Sequence, residues 1–112
     1  MVIINLTPHA LVVCGREFPP SGQIARCNQV ETAAGDLDGI PLVEVRLGSL
    51  TGLPEYRPHV YYITSAIAAQ AAWAQCRNDV FCPARLVRDA GGNITGCDAL
   101  ARSPVQACGD DE

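Results

Sequence analysis

Thr64-Ser65-Ala66-Ile67-Ala68-Ala69-Gln70-Ala71-Ala72-Trp73-Ala74-Gln75-Cys76-Arg77 is the longest stretch of the chain that reads as a helix. Thr64 and Ser65 are both good N-cap residues, because a hydroxyl accepts from the orphan N–H groups of a first turn. Alanine, the best helix former, fills six of the positions that follow. No Gly or Pro interrupts before Pro83. Ile67, Ala71, Ala74 and Cys76 form the expected inward stripe, flanked by Ala68, Ala72 and Gln75. Such small side chains let a helix sit close to a sheet or to its own copy. Everything before Thr64 reads as strand and turn, and everything after Asp79 as loop and hairpin. The expected class is α+β. A mostly antiparallel sheet of about five to seven strands carries one main Ala-rich helix (about 64–77) and a C-terminal β-hairpin.

With 112 residues, about half of them apolar, the chain has material for one modest core. Residues 1–102 are expected to form a single globular domain, and the polar, acidic run 103–112 a flexible tail. The net charge of −4 argues against a nucleic-acid polymer as partner. All eight basic residues are arginine. Arginine suits bidentate contacts to phosphate or carboxylate, although a GC-rich genome produces the same bias. No apolar run is long enough for a bilayer, and no signal peptide is apparent, so a cytoplasmic location is expected. The six cysteines form no Cys-x-x-Cys pair and no zinc-type spacing. Free thiols are expected at all six, most of them buried as small hydrophobes.

Upstream of the helix, residues 2–6 and 10–14 read as a hairpin or one kinked strand around Thr7-Pro8-His9. Pro19-Pro20-Ser21-Gly22 is a turn by its residue types. Residues 23–31 alternate as a half-buried strand, with Ile24, Arg26, Asn28 and Val30 on one face. Residues 32–39 read as a solvated loop, and 41–47 as a strand whose core face is Val43, Val45 and Leu47. A turn-rich connector spans 48–54, and His59–Ile63 leads directly into the helix. Beyond it, Ala84–Asp89 and Ile94–Leu100 flank the Ala90-Gly91-Gly92-Asn93 turn.

Candidate chemistry is sparse. There is no Gly-x-Ser-x-Gly elbow and no phosphate-cradling Gly-rich loop. Asp36 and Asp38 match no EF-hand, so no metal ligands are assigned. No nucleophile, base and orienting group can be named together; an enzyme and a catalytic residue are not expected, nor is a cofactor.

One set of short motifs stands out: Asn5-Leu6-Thr7-Pro8-His9, Pro20-Ser21-Gly22 with Ala25-Arg26, Gly52-Leu53-Pro54, Tyr62-Ile63-Thr64-Ser65, Arg77-Asn78-Asp79, and Val87-Arg88-Asp89 with Ile94-Thr95-Gly96-Cys97. The pattern covers residues 3–100. It resembles a family of small proteins encoded by bacteriophages, prophages and some bacteria. Phage accessory proteins of this size include anti-defence proteins. One class is a sponge that holds an immune nucleotide messenger, such as a cyclic ADP-ribose isomer or a cyclic oligonucleotide, without cleaving it. The resemblance thus implies a small nucleotide ligand and the cytoplasm of an infected or lysogenic host. A protein-binding or structural phage module and a nucleotide-processing enzyme are the alternatives.

A phosphate-bearing, adenine-bearing ligand needs arginines, free N–H groups, hydroxyls and a stacking ring. The candidate binding residues are therefore Asn5, Thr7, His9, Ser21, Arg26, Tyr62, Ser65, Arg77 and Asp79. Helical rise separates Ser65 from Arg77 by about 18 Å, so one small ligand cannot touch both within a protomer. The N-terminal end of the helix is preferred, because its free N–H groups and dipole attract phosphate. Arg77 and Asp79 are then structural, or complete a site in a neighbour. Arg26 is the best single phosphate contact, and a homo-oligomer, most simply a two-fold dimer, is expected.

Overall fold

The computed structural model describes residues 1–103, and the Ala-rich stretch forms its helix, α1 (Ala66–Ala74). Ser65 is the N-cap: its backbone is extended and its hydroxyl accepts from the Ala68 N–H at 3.3 Å. At the other end Cys76 adopts a left-handed backbone (φ +68°). Its N–H donates to Trp73 O, and the Arg77 N–H donates to Ala72 O, each at 3.0 Å. This is a Schellman cap with cysteine where glycine is usual. The buried face consists of Ala68, Ala69, Ala71 and Ala72. The expected stripe is corrected here, since Ile67, Ala74 and Cys76 are exposed. Four of the six alanines are buried against the chain's own body, while Ala66 and Ala74 are exposed. Ala68, Ala69 and Ala72 pack with Leu6, Ala25, Tyr62, Val80 and Cys82, while Trp73 Nε1 donates to Val80 O at 2.9 Å.

The strands are β1 (Val2–Asn5), β2 (Leu11–Val13), β3 (Arg16–Phe18), β4 (Arg26–Leu37), β5 (Ile40–Thr51), β6 (Val60–Ile63), β7 (Val80–Arg88) and β8 (Ile94–Ala101). Six of them form one sheet in the order β1-β6-β7-β8-β2-β3; β4 and β5 form a separate pair. The protein is mostly β with one short helix, and most paired residues are antiparallel. The six-stranded sheet is nonetheless mixed, because β1–β6, β6–β7 and β2–β8 run parallel. A helical crossover between neighbouring strands requires the β6–β7 pair to be parallel. β7 starts earlier than its sequence suggests, running through Pro83. The β6 ladder ends where the Thr64 N–H donates to Phe81 O, so the missing N–H of Pro83 costs no bond. β1 and β2 do not pair as a hairpin: they lie four places apart in the sheet.

The sheet curls until its outer strands meet. Asn5 at the end of β1 bridges Pro20, just beyond β3, and the Ser21 N–H donates to Asn5 O at 3.1 Å. The buried Asn5 side chain makes the clasp. Its Nδ2 donates to His9 O at 2.8 Å and Phe18 O at 2.9 Å. Its Oδ1 accepts from the Thr7 N–H at 2.8 Å and the Thr7 hydroxyl at 2.6 Å. Both donors and both acceptor directions of the amide are thereby satisfied.

β4 and β5 form a long two-stranded arm. The expected loop at 32–39 is corrected: residues 32–37 continue β4, and β5 extends through the expected connector to Thr51. Asp38 (φ +52°) and Gly39 (φ +83°) make the two-residue turn between them. An Asp-Gly pair with both residues left-handed matches the twist of the flanking strands. Gly52 (φ +82°) holds the root of the arm close to the body: a Cβ there would collide with Ile24 O. Val43, Val45 and Leu47 are a core face by pattern, yet they are 51%, 51% and 40% exposed.

The thiols divide. Cys14, Cys27, Cys82 and Cys97 are free, but Cys76 is disulfide-bonded, which corrects the expectation of six free thiols. Cys108 and the expected tail from residue 104 onward lie outside the described residues. Burial pushes the Cys82 thiol up, because a thiolate is poorly solvated there. We expect a thiol reagent to modify exposed Cys14 in the native protein and to reach Cys82 and Cys97 only on unfolding. Mass mapping of the labelled peptides checks this; labelling of Cys82 at the rate of Cys14 would refute it. Among the described residues no helix is long and apolar enough to cross a membrane.

Candidate ligand cleft

The N-terminus of α1 opens onto a cleft of about 410 Å³. Three segments distant in sequence meet there. The Asn5 clasp holds Thr7 and Pro8 on one side, and the capped helix start supplies Ser65 and Ile67. The root of the arm, Ile24 to Gln29, makes the remaining wall. The first helical N–H groups have no intrahelical acceptor. Ser65 Oγ satisfies that of Ala68, leaving those of Ala66 and Ile67 at the cleft end of the helix.

Of the nine candidate residues, the fold brings Thr7, Arg26 and Ser65 into this cleft. Arg26 is exposed and, among the described residues, makes no ion pair or side-chain hydrogen bond. The sequence places it on a half-buried strand; the structure places it at the solvent-facing start of the arm. Asn5 lies behind the cleft as the clasp. His9 is exposed, its carbonyl serves the clasp, and it borders a different depression beside β8. Ser21 is also exposed, and its hydroxyl turns the backbone locally by donating to Gln23 O at 3.3 Å. Tyr62 is 2% exposed in the core under α1, so it offers no stacking face. Its neighbour Tyr61 points to the opposite sheet face, where its ring lies 5.9 Å from that of Phe81.

Arg77 and Asp79 sit at the far end of the helix and bind each other. Arg77 Nε and Nη2 donate to the two Asp79 carboxylate oxygens at 2.9 and 2.8 Å, and Nη2 also donates to Pro54 O at 2.9 Å. Asp79 itself is 2% exposed. Hydrogen bonding to Asp79 raises the Arg77 pKa, outweighing desolvation. The pair ties the α1–β7 connection to the segment before β6.

No protein-family model, curated protein or solved structure matches this chain.

Asn28 and Gln29 also line the cleft, and the sequence reading missed both as ligand groups. In an alternating strand they are ordinary polar residues. Only the turn of the arm root toward the helix gives them a shared opening with Thr7 and Ser65. Pro8, Ile24 and Ile67 supply apolar surface. The cleft thus combines one cation, two hydroxyls, two carboxamides, the Cys27 thiol and apolar walls. Among the described residues no cluster of three or more His, Cys, Asp or Glu could hold a metal ion.

Proposed function

We propose that this protein is a phage anti-defence sponge, binding a nucleotide immune messenger in the cleft at the start of α1 and holding it uncleaved. The ligand is a cyclic ADP-ribose isomer or a cyclic oligonucleotide. The observation that carries this reading is the exposed Arg26, without an ion pair among the described residues, beside Thr7, Ser65 and the first N–H groups of the helix. Arginine and helix N–H groups are the donors that phosphate oxygens require. The cleft volume falls within the range of about 300–1,000 Å³ typical of small-molecule sites. A base would rest on Ile24, Ile67 and Pro8 and bond to the carboxamides of Asn28 and Gln29, in place of stacking on a tyrosine. Thr7, Arg26, Ser65, Asn28 and Gln29 supply hydrogen-bonding groups to hold such a ligand, with the Cys27 thiol also in the lining.

The test is uptake. The purified protein is mixed with a panel of cyclic nucleotides, recovered, heat-denatured, and its supernatant analysed. A sponge returns the intact messenger, a processing enzyme returns product, and a protein-binding module returns nothing. Arg26→Ala is expected to weaken uptake by about 10- to 100-fold, the scale of one charge-assisted hydrogen-bonding group. Its melting temperature should stay near that of the parent, since among the described residues the Arg26 side chain makes no hydrogen bond or ion pair. Parental affinity in Arg26→Ala would place the ligand elsewhere.

A further inference from the structure

We infer that Cys76 is joined to Cys108, and that this bond is a reversible staple which thiol–disulfide exchange opens and closes in the folded protein. The staple does not rest on the ligand reading. Cys76 lies past the C-terminal end of α1, and the cleft opens at the N-terminal end.

Cysteine arithmetic comes first. The chain has six cysteines. Cys76 is disulfide-bonded, whereas Cys14, Cys27, Cys82 and Cys97 are free. Cys108 is the one cysteine left for a bond within the chain.

Topology then carries the chain back to Cys76. β7 starts at Val80, shortly after Cys76, and runs away from the end of α1. β8 pairs with it antiparallel, with Ala101 opposite Cys82, so β8 returns toward the α1–β7 connection. Arg102 and Ser103 reach it: they share a depression of about 220 Å³ with Asn78, Tyr61 and Phe81. Asn78 is two residues from Cys76, a span of about 7 Å at most. Cys108 is five residues beyond Ser103, a reach of up to about 17 Å. The remaining cysteine is therefore within range of the bonded one with the sheet as it stands.

The position also suits exchange. Cys76 is exposed, so an attacking thiolate has access to the bond. The helix cap there is made by the backbone N–H groups of Cys76 and Arg77, and the Arg77–Asp79 pair braces the connection. None of these contacts uses the sulfur of Cys76, so opening the staple leaves α1 and the sheet in place. Buried Cys82 and Cys97 are shielded from the exchange. In the closing step the two thiols and one small-molecule disulfide give the Cys76–Cys108 bond and two small thiols. The two protons and two electrons lost by the cysteines are taken up by the small disulfide. A small dithiol reverses the step and is itself oxidised to a disulfide. The thiol pool of a reducing compartment holds the staple open, and an oxidising one holds it closed.

The full-length chain is equilibrated with oxidised glutathione, denatured in the presence of an alkylating reagent and cut with trypsin. Arginine separates all six cysteines onto different peptides. Peptides 47–77 and 103–112 are expected as one cross-linked species, with the other four cysteines outside it. Alkylated Cys76, Cys76 carrying glutathione, or a cross-link between two copies of 47–77 overturns the inference. In a second arm the native oxidised protein is treated with dithiothreitol and alkylated without denaturant. Cys76 and Cys108 should both take the label while Cys82 and Cys97 stay protected and the circular dichroism spectrum is unchanged. A bond that resists dithiothreitol until the chain unfolds, or an opening that exposes Cys82 and Cys97, overturns the reversible staple.

Discussion

Arg77→Ala is expected to lower the unfolding free energy by about 3–5 kcal/mol, the cost of leaving a buried charge without its partner. Asp79 is 2% exposed, and both of its carboxylate oxygens accept from Arg77. Removing the guanidinium strands that carboxylate and also frees Pro54 O of its bond. A domain of this size has about 5–15 kcal/mol in total, so the variant should lose a large fraction of its stability. Urea melts of parent and variant measure it, and a loss under 1 kcal/mol would refute the structural role. Arg77→Lys should recover only part, because an ammonium cannot make the two parallel bonds. The raised Arg77 pKa fixes the sign of its pH dependence. Its stabilisation is complete below the unfolded-state pKa and lost only as pH rises through the folded one, far above neutrality. Arg77 therefore stays charged through the acid and neutral range.

Asn5→Ala is expected to cost roughly 2–4 kcal/mol, because several partly buried polar groups lose their partner together. His9 O, Phe18 O and the Thr7 N–H would all be left behind. Asn5→Asp should be no better than alanine: it keeps the acceptor for Thr7 but turns a carboxylate oxygen toward two carbonyls. A midpoint shift in urea with unchanged m-value checks this. An Asn5→Ala variant of parental stability that has lost messenger uptake would instead make Asn5 a ligand residue. Loss of stability makes it the clasp of the curled sheet.

Local chemistry made the helix legible. Ser65 caps it because a hydroxyl before an alanine run has one effective use, and the class of a mostly β protein with one short helix followed from the remaining alternation and turns. The prominence of Asn5-Leu6-Thr7-Pro8-His9 was legible too, though its meaning was not. An asparagine that closes a sheet and one that grips a ligand look alike in one dimension. Arg77-Asn78-Asp79 reads either as a structural pair or as part of a neighbour's site, and the folded chain joins the Arg77 and Asp79 side chains to each other. Arg26 read as a costly charge on a half-buried strand, and the structure relieves it by placing that strand at the edge of solvent. Parallel pairing, the curl closed by Asn5, and the meeting of Thr7, Arg26 and Ser65 all join segments tens of residues apart. Only tertiary structure decides such contacts, because the period-2 pattern states that a face is to be buried and not against what. Val43, Val45 and Leu47 mark that boundary: their alternation specifies burial, and among the described residues they stay about half exposed.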